Sequence, residues 1–252
     1  MKLLRPVIVF AGLIAAWWAL VWLTGVAHFI LPGPDRVARA LAAHWPELLE
    51  HAGVTVTEIL LGLVLGTLLG CLSALIIASF RPARRWLLPV LVVSQAIPVF
   101  ALAPVLVLWL GFGLEPKVAM ATLIIYFPVT VAFFDGLRRT EPGWLDLART
   151  MGGGRFRILC HVQVPAALPA LSSGIRVATA TAPIGAIVGE WVGGGGGGLG
   201  YLMLQANARM QVDVMFAALF VLALFVVGLY TAVDAGLRRA LPWQAEDSGA
   251  LR

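Results

Sequence analysis

Long apolar runs alternate with short polar connections along this chain, and six of the runs reach the length of a bilayer crossing. A hydrocarbon core about 30 Å thick takes about 20 helical residues, and residues 7–23, 55–78, 87–110, 118–134, 172–192 and 214–233 supply stretches of that order. The pattern predicts an all-α fold, a polytopic membrane protein with six transmembrane helices in one domain over residues 1–252. An even number of crossings leaves both termini on one side.

Composition agrees. Of 252 residues, 60% are hydrophobic and only 12% charged, with a mean hydropathy of +0.93, outside the range of soluble globular domains. A net charge of +5 would suit nucleic acid only if the basic residues formed one water-facing patch; they are scattered through short loops, so no nucleic-acid partner is expected. Lys2 and Arg5 ahead of an apolar run resemble a signal peptide, but the run is too long and no small-x-small cleavage site follows. It reads as a retained first helix. Cys71 and Cys160 are far apart in unlike surroundings and form no disulfide framework.

Orientation follows from the loops, because Lys and Arg collect on the cytoplasmic side. With the amino terminus inside, thirteen lie in cytoplasmic segments (Lys2, Arg5, Arg81, Arg84, Arg85, Arg138, Arg139, Arg149, Arg155, Arg157, Arg238, Arg239, Arg252). Four lie outside (Arg36, Arg39, Lys117, Arg209), and Arg176 falls within a span. Both termini and the loop 136–170 are therefore expected in the cytoplasm, in a multi-pass protein of the cell membrane.

Several stretches carry local expectations. After the first span, Asp35 is placed to cap a short helix whose Val37, Ala38, Leu41 and Trp45 share a face. His44 and His51 are seven apart, but Pro46 intervenes and no third ligand is evident, so an exposed loop pair outweighs a metal site. Gly62, Gly66 and Gly70 form a small-xxx-small series that lets helix backbones approach closely, within the protomer or across a dimer. The third span contains Pro89, Pro98 and Pro104, and broken helices survive in a membrane only when buried in protein or lining a wet cavity. Ser94, Gln95 and Pro98 are thus candidates for a translocation path, the alternative being a kinked packing helix. Thr179, Thr181 and Glu190 in the fifth span form the second polar-lined set.

Glu58 and Glu190 fall near outer span ends and Arg176 near an inner one, where snorkelling relieves the cost of a charge. No carboxylate or histidine sits mid-span, which weighs against a proton-driven carrier. The run Gly193 to Gly198 meets G-x-G-x-x-G trivially and reads as a flexible outer connection. Walker, HExxH and GxSxG motifs are absent from the sequence, so no catalytic residue and no cofactor is expected in this chain.

One stretch, Asp146 to Pro165, is a polar island: a helix over 145–151, a stop at Gly152 to Gly154, and a helix over 155–162 that ends before Pro165. Arg149, Arg155 and Arg157 give it positive charge, and Phe156 is an apolar anchor for a partner. The series Asp146, Leu147, Ala148, three residues, Gly152, nine residues, Val162, one residue, Val164 and Pro165 resembles the E-A-A-x3-G-x9-I-x-L-P loop of type I binding-protein-dependent ABC importer permeases. Asp146 and Leu147 stand where that pattern has Glu and Ala, and a run of glycines replaces a more ordinary Ser/Ala segment near the outer side.

That resemblance implies a permease subunit without ATPase activity of its own. Asp146, Ala148, Arg149, Gly152, Arg155, Phe156 and Pro165 would dock two ABC ATPase subunits, which carry the ATP and magnesium. An extracytoplasmic solute-binding protein would deliver the solute, and a second permease copy would complete a homodimer. Leu31, Pro32, Pro34, Gly111, Gly113, Pro116, Lys117 and the stretch Glu190 to Tyr201 are similar to the nitrate, sulfonate and taurine group, most of all to permeases for hydroxymethylpyrimidine, a thiamine precursor. A self-sufficient secondary carrier or channel is the alternative, and it would show paired broken helices.

Overall fold

The structure, a computed structural model, describes residues 4–94 and 97–243. Among these every regular element is helical: α1 (Leu4–Thr24), α2 (Pro34–Ala43), α3 (Trp45–Ser79), α4 (Arg81–Ser94), α5 (Val99–Leu110), α6 (Leu114–Arg138), α7 (Pro142–Thr150), α8 (Arg155–Ile158), a π-turn (Leu159–Gln163), α9 (Val164–Gly193), α10 (Leu199–Ala208) and α11 (Val212–Ala240). Among the described residues, four helical stretches are long and apolar enough to cross a membrane: Trp45–Ser79, Leu114–Arg138, Arg155–Gly193 and Val212–Ala240. Ala11–Thr24 and Val99–Leu110 are shorter apolar helices. Trp22, Leu68, Leu108 and Leu224 are more than half exposed, an apolar surface suited to hydrocarbon.

The centre of the fold is α6, clasped between α3 and α9. Small residues on both neighbours make this possible. A Cβ on Gly66 of α3 would lie 2.6 Å from the Ile125 side chain, and one on Gly70 would lie 2.9 Å from Val129. On the other side, a Cβ at Gly185 of α9 would stand 2.6 Å from the Ala121 backbone. The glycine series therefore packs within the protomer, which resolves the alternative left open by the sequence. Without a hydrophobic drive between helices in lipid, such close contact is the main attraction available. We expect Gly66→Val to lose folded, monodisperse protein in detergent, overpacking costing about 1–3 kcal/mol or more. Gly53→Val, on the same helix but with open space around it, should behave as wild type.

Two expectations are corrected, and one is seen directly: the proline-rich run 87–110 is a broken helix, α4 reaching back to Arg81 and the chain resuming as the 12-residue α5 with Pro98 as its N-cap. Asp35 does not cap α2; Gly33 is the N-cap, and Asp35 sits in the first turn, 2.6 Å from Arg39, whose guanidinium holds its carboxyl below the usual range. Trp45 is not on the α2 face, because the chain turns at His44 and Trp45 opens α3; Val37 and Ala40 are the buried positions of α2.

Candidate functional site

The island is built by a helix cap. Helix α7 ends at Thr150 with Met151 as its C-cap, and Gly152 follows with φ +79, the left-handed conformation that favours glycine. The Gly152 N–H donates to Arg149 O at 3.0 Å and the Gly153 N–H to Ala148 O at 2.9 Å. This is the paired bonding of a Schellman cap. A Cβ on Gly153 would sit 2.6 Å from Ala148 O, so glycine is required by space at 153 and favoured by its backbone conformation at 152. Gly154 then caps α8 through its carbonyl, which accepts from the Ile158 N–H at 3.0 Å.

Beyond α8 the sequence reading needs correction, because the second helix does not stop before Pro165. It passes through the π-turn into α9, giving one helical rod from Arg155 to Gly193. The reason is local. Pro165 has no N–H and its ring crowds the carbonyl four residues back; the ladder widens just before it, with the Val164 N–H reaching Leu159 O. Ile158 and Leu159 are buried, and Leu159 packs in a cluster with Ile77, Phe133, Phe134, Leu137 and Ala167. The island is thereby fixed to α3, α6 and α9.

What the island presents outward is more apolar than its composition suggested. Trp144, Leu147, Met151 and Phe156 are all more than half exposed, and Phe156 stands 76% exposed. Asp146 and Arg149 pair at 2.7 Å on the surface, so Arg149 is partly neutralised and Arg155 and Arg157 carry the positive character. Ala148 is half-buried and Pro165 exposed. Behind this face lies a cavity of about 450 Å³ bordered by Leu145, Arg149, Arg155 and Gln163.

The opposite end of α9 holds a buried polar cluster that the sequence reading missed. Glu58 and Glu190 are both 0% exposed and Lys117 is 1% exposed. Neither carboxylate snorkels. Lys117 Nζ lies 3.1 Å from Glu58 Oε1 and donates to Gly197 O at 2.9 Å. Glu190 accepts from Thr55 Oγ1 at 2.6 Å, from the Gly200 N–H at 2.5 Å and from the Tyr201 N–H at 3.1 Å. Thr55 Oγ1 in turn accepts from the Leu199 N–H at 2.8 Å, and His51 Nδ1 accepts from the Gly198 N–H at 3.0 Å.

His51 is therefore a helical residue bound to the glycine run, not part of an exposed loop pair. Lys117 is not an outer-loop cation, and the end of the glycine run is pinned, not free. The available signal was charge inside apolar runs: such residues are expensive in a membrane and are almost always paired. Arg176 is likewise bound, 2.7 Å from Asp234.

The candidate path residues are spread out. Thr179 is buried and its hydroxyl donates to Ile175 O at 2.7 Å; Thr181 donates to Val177 O at 3.0 Å. Glu190 lies eleven residues beyond Thr179, about 16 Å along the same helix. Ser94 ends α4, Pro98 opens α5, and Gln95 lies outside the described residues. No group of three or more metal-ligating side chains occurs among the described residues.

Relatives share this framework along most of their length. A "Probable ABC transporter permease protein" of Haemophilus influenzae is 51% identical over 94% of this chain and 97% of its own. The formylaminopyrimidine transport permease protein ThiX of Halalkalibacterium halodurans is 34% identical, over 96% of each chain. The riboflavin transport system permease protein RibX of Chloroflexus aurantiacus is 36% identical over 92% of this chain and 87% of its own. An inward-facing structure of the MetNI methionine ABC transporter shares the fold, with a TM-score of 0.67 over 76% of this chain and 95% of that one, at 20% identity. The family model for the binding-protein-dependent transport system inner membrane component matches residues 62–243, and the chain belongs to that family, the multi-pass inner-membrane permeases of ABC importers.

Proposed function

We propose that this chain is the permease half of an importer whose power stroke enters at the island. The observation that carries this is the capped helix–turn–helix of residues 142–158: it is exposed, apolar, rigidly seated on the bundle, and continuous with α9. Two ATPase subunits, which bind and hydrolyse ATP with magnesium, engage Leu147, Met151, Gly152 and Phe156 from the cytoplasm. A binding protein delivers solute to the opposite face. Two copies of the chain form the path, since a symmetric homodimer is the simplest closed assembly. Thirteen basic residues on one side against four on the other support six spans with both termini inside. ATP-driven closure of the ATPases then moves the island as a rigid body and switches the cavity between faces.

The solute of this reading is a pyrimidine of the thiamine-precursor type, with sulfonates, taurine and nitrate second. Its support is the similarity to ThiX along essentially the whole chain; RibX, whose name specifies riboflavin, points to another nitrogen heteroaromatic. We expect proteoliposomes holding the permease, its ATPase and its binding protein to take up a labelled aminopyrimidine only with ATP inside or outside according to ATPase orientation, and taurine far less. Uptake that proceeds without nucleotide would favour the carrier alternative, and preference for taurine would overturn the solute.

A further inference from the structure

The far-end cluster does more than fill the bundle. It joins α9 to α3, through Glu190 to Thr55, and to the start of α10, the next helix in the chain, through Glu190 to the N–H groups of Gly200 and Tyr201. Helix α10 is itself held in the core by Leu199, Leu202 and Ala206. Between α9 and α10 runs the glycine segment. Gly194 and Gly195 have open space around them, whereas the Cβ of any residue at 198 would overlap the Glu190 carboxylate.

The segment thus has two parts, a slack portion at 194–196 and a seated portion from 197 onward. The chain across the slack portion carries no side chains that would fix one path, so the end of α9 can shift without dragging α10. The contacts that resist such a shift are of two kinds: the apolar packing of Ile187 against the core cluster that includes Leu199 and Leu202, and the polar bonds of Glu190, with Trp191 Nε1 donating to Gly200 O at 3.0 Å. The polar bonds are directional and open over a short displacement, exchanging for bonds to water at a net cost of about 1.5–3 kcal/mol each when one partner is a carboxylate.

We propose that Glu190, seated against Thr55 and the α10 amides, is a latch at the far end of the same rod that carries the island, and that it is a positioning group which holds the closed far face until the ATPases move α9. Lys117 and His51 seat the loop around it. This rests on the importer reading above. A latch of this kind sets how tightly hydrolysis is coupled to delivery of solute: weakened, it lets the far face open without the binding protein, and ATP is consumed without transport.

The test uses the complete transporter in proteoliposomes. Thr55→Val removes the hydroxyl that Glu190 holds; Gly198→Ala removes no polar group but crowds the carboxylate out of its seat, with added backbone strain at a φ of +118. Each is expected to raise ATPase activity without binding protein about tenfold, the shift that one hydrogen bond to a carboxylate of about 1.5 kcal/mol corresponds to, and to lower solute taken up per ATP by a similar factor. Thr55→Ser, which keeps the hydroxyl, should restore wild-type coupling, and Gly195→Ala should leave it unchanged. If Thr55→Val and Gly198→Ala lose hydrolysis and uptake in equal proportion, or match wild type in both, the cluster is structural only and the latch is wrong. If the wild type itself shows no nucleotide-dependent uptake, the importer reading fails first.

Discussion

Replacing Lys117 with methionine is expected to remove a large share of the protein's stability. Its ammonium is 1% exposed and 3.1 Å from Glu58 Oε1. Neither Glu58 oxygen has a well-directed hydrogen bond among the described residues, and Glu190 bears on the same carboxyl, so Lys117 supplies the positive charge of a site that holds two buried carboxyl groups. Breaking a buried pair from one side leaves an uncompensated charge and costs about 3–5 kcal/mol, against a total stability of about 5–15 kcal/mol. The Lys117→Met, Glu58→Gln double variant removes both charges and should recover most of the loss. Thermal unfolding of Lys117→Met, Glu58→Gln and the double variant in detergent checks this. A single variant as stable as wild type, or a double variant worse than the sum, would refute the pairing.

The second large effect is on activity. Gly152 has φ +79 and open space around its Cα, so Gly152→Glu pays only the left-handed backbone cost of about 1–2 kcal/mol and should still insert and fold. It would, however, push a carboxylate into the exposed face next to Leu147 and Met151. Central apolar contacts of an interface are worth about 2 kcal/mol or more, so docking of the ATPase should weaken at least about thirtyfold and ATP-driven uptake should vanish. Phe156→Asp is expected to act alike without touching the cap. Normal uptake by either variant, with normal amounts in the membrane, would remove the island from the coupling route.

The all-helical membrane architecture was legible because apolar run length is a strong signal. The island was legible too, since Gly152 and Gly153 are punctuation with a mechanism, a left-handed cap that no other residue type enters cheaply. Less legible were features set by tertiary contact. The π-turn at 159–163 lets one rod continue past Pro165, where local rules end a helix. Glu58, Glu190 and Lys117 sit near span ends, where exposure and burial leave the same sequence trace; only the neighbours decide, and here α3, α6 and α9 meet around them. The tight seating of α6 was half legible: Gly62, Gly66 and Gly70 announced close approach, but Ala121, Ile125 and Val129 as its target came from the structure.

The most direct test of the central claim is purification of the tagged chain from its native membrane in mild detergent, with mass spectrometry of whatever remains bound. The account predicts a Walker-motif ATPase in complex with the wild type and its loss in Gly152→Glu. A chain that purifies alone and moves solute without ATP would contradict it.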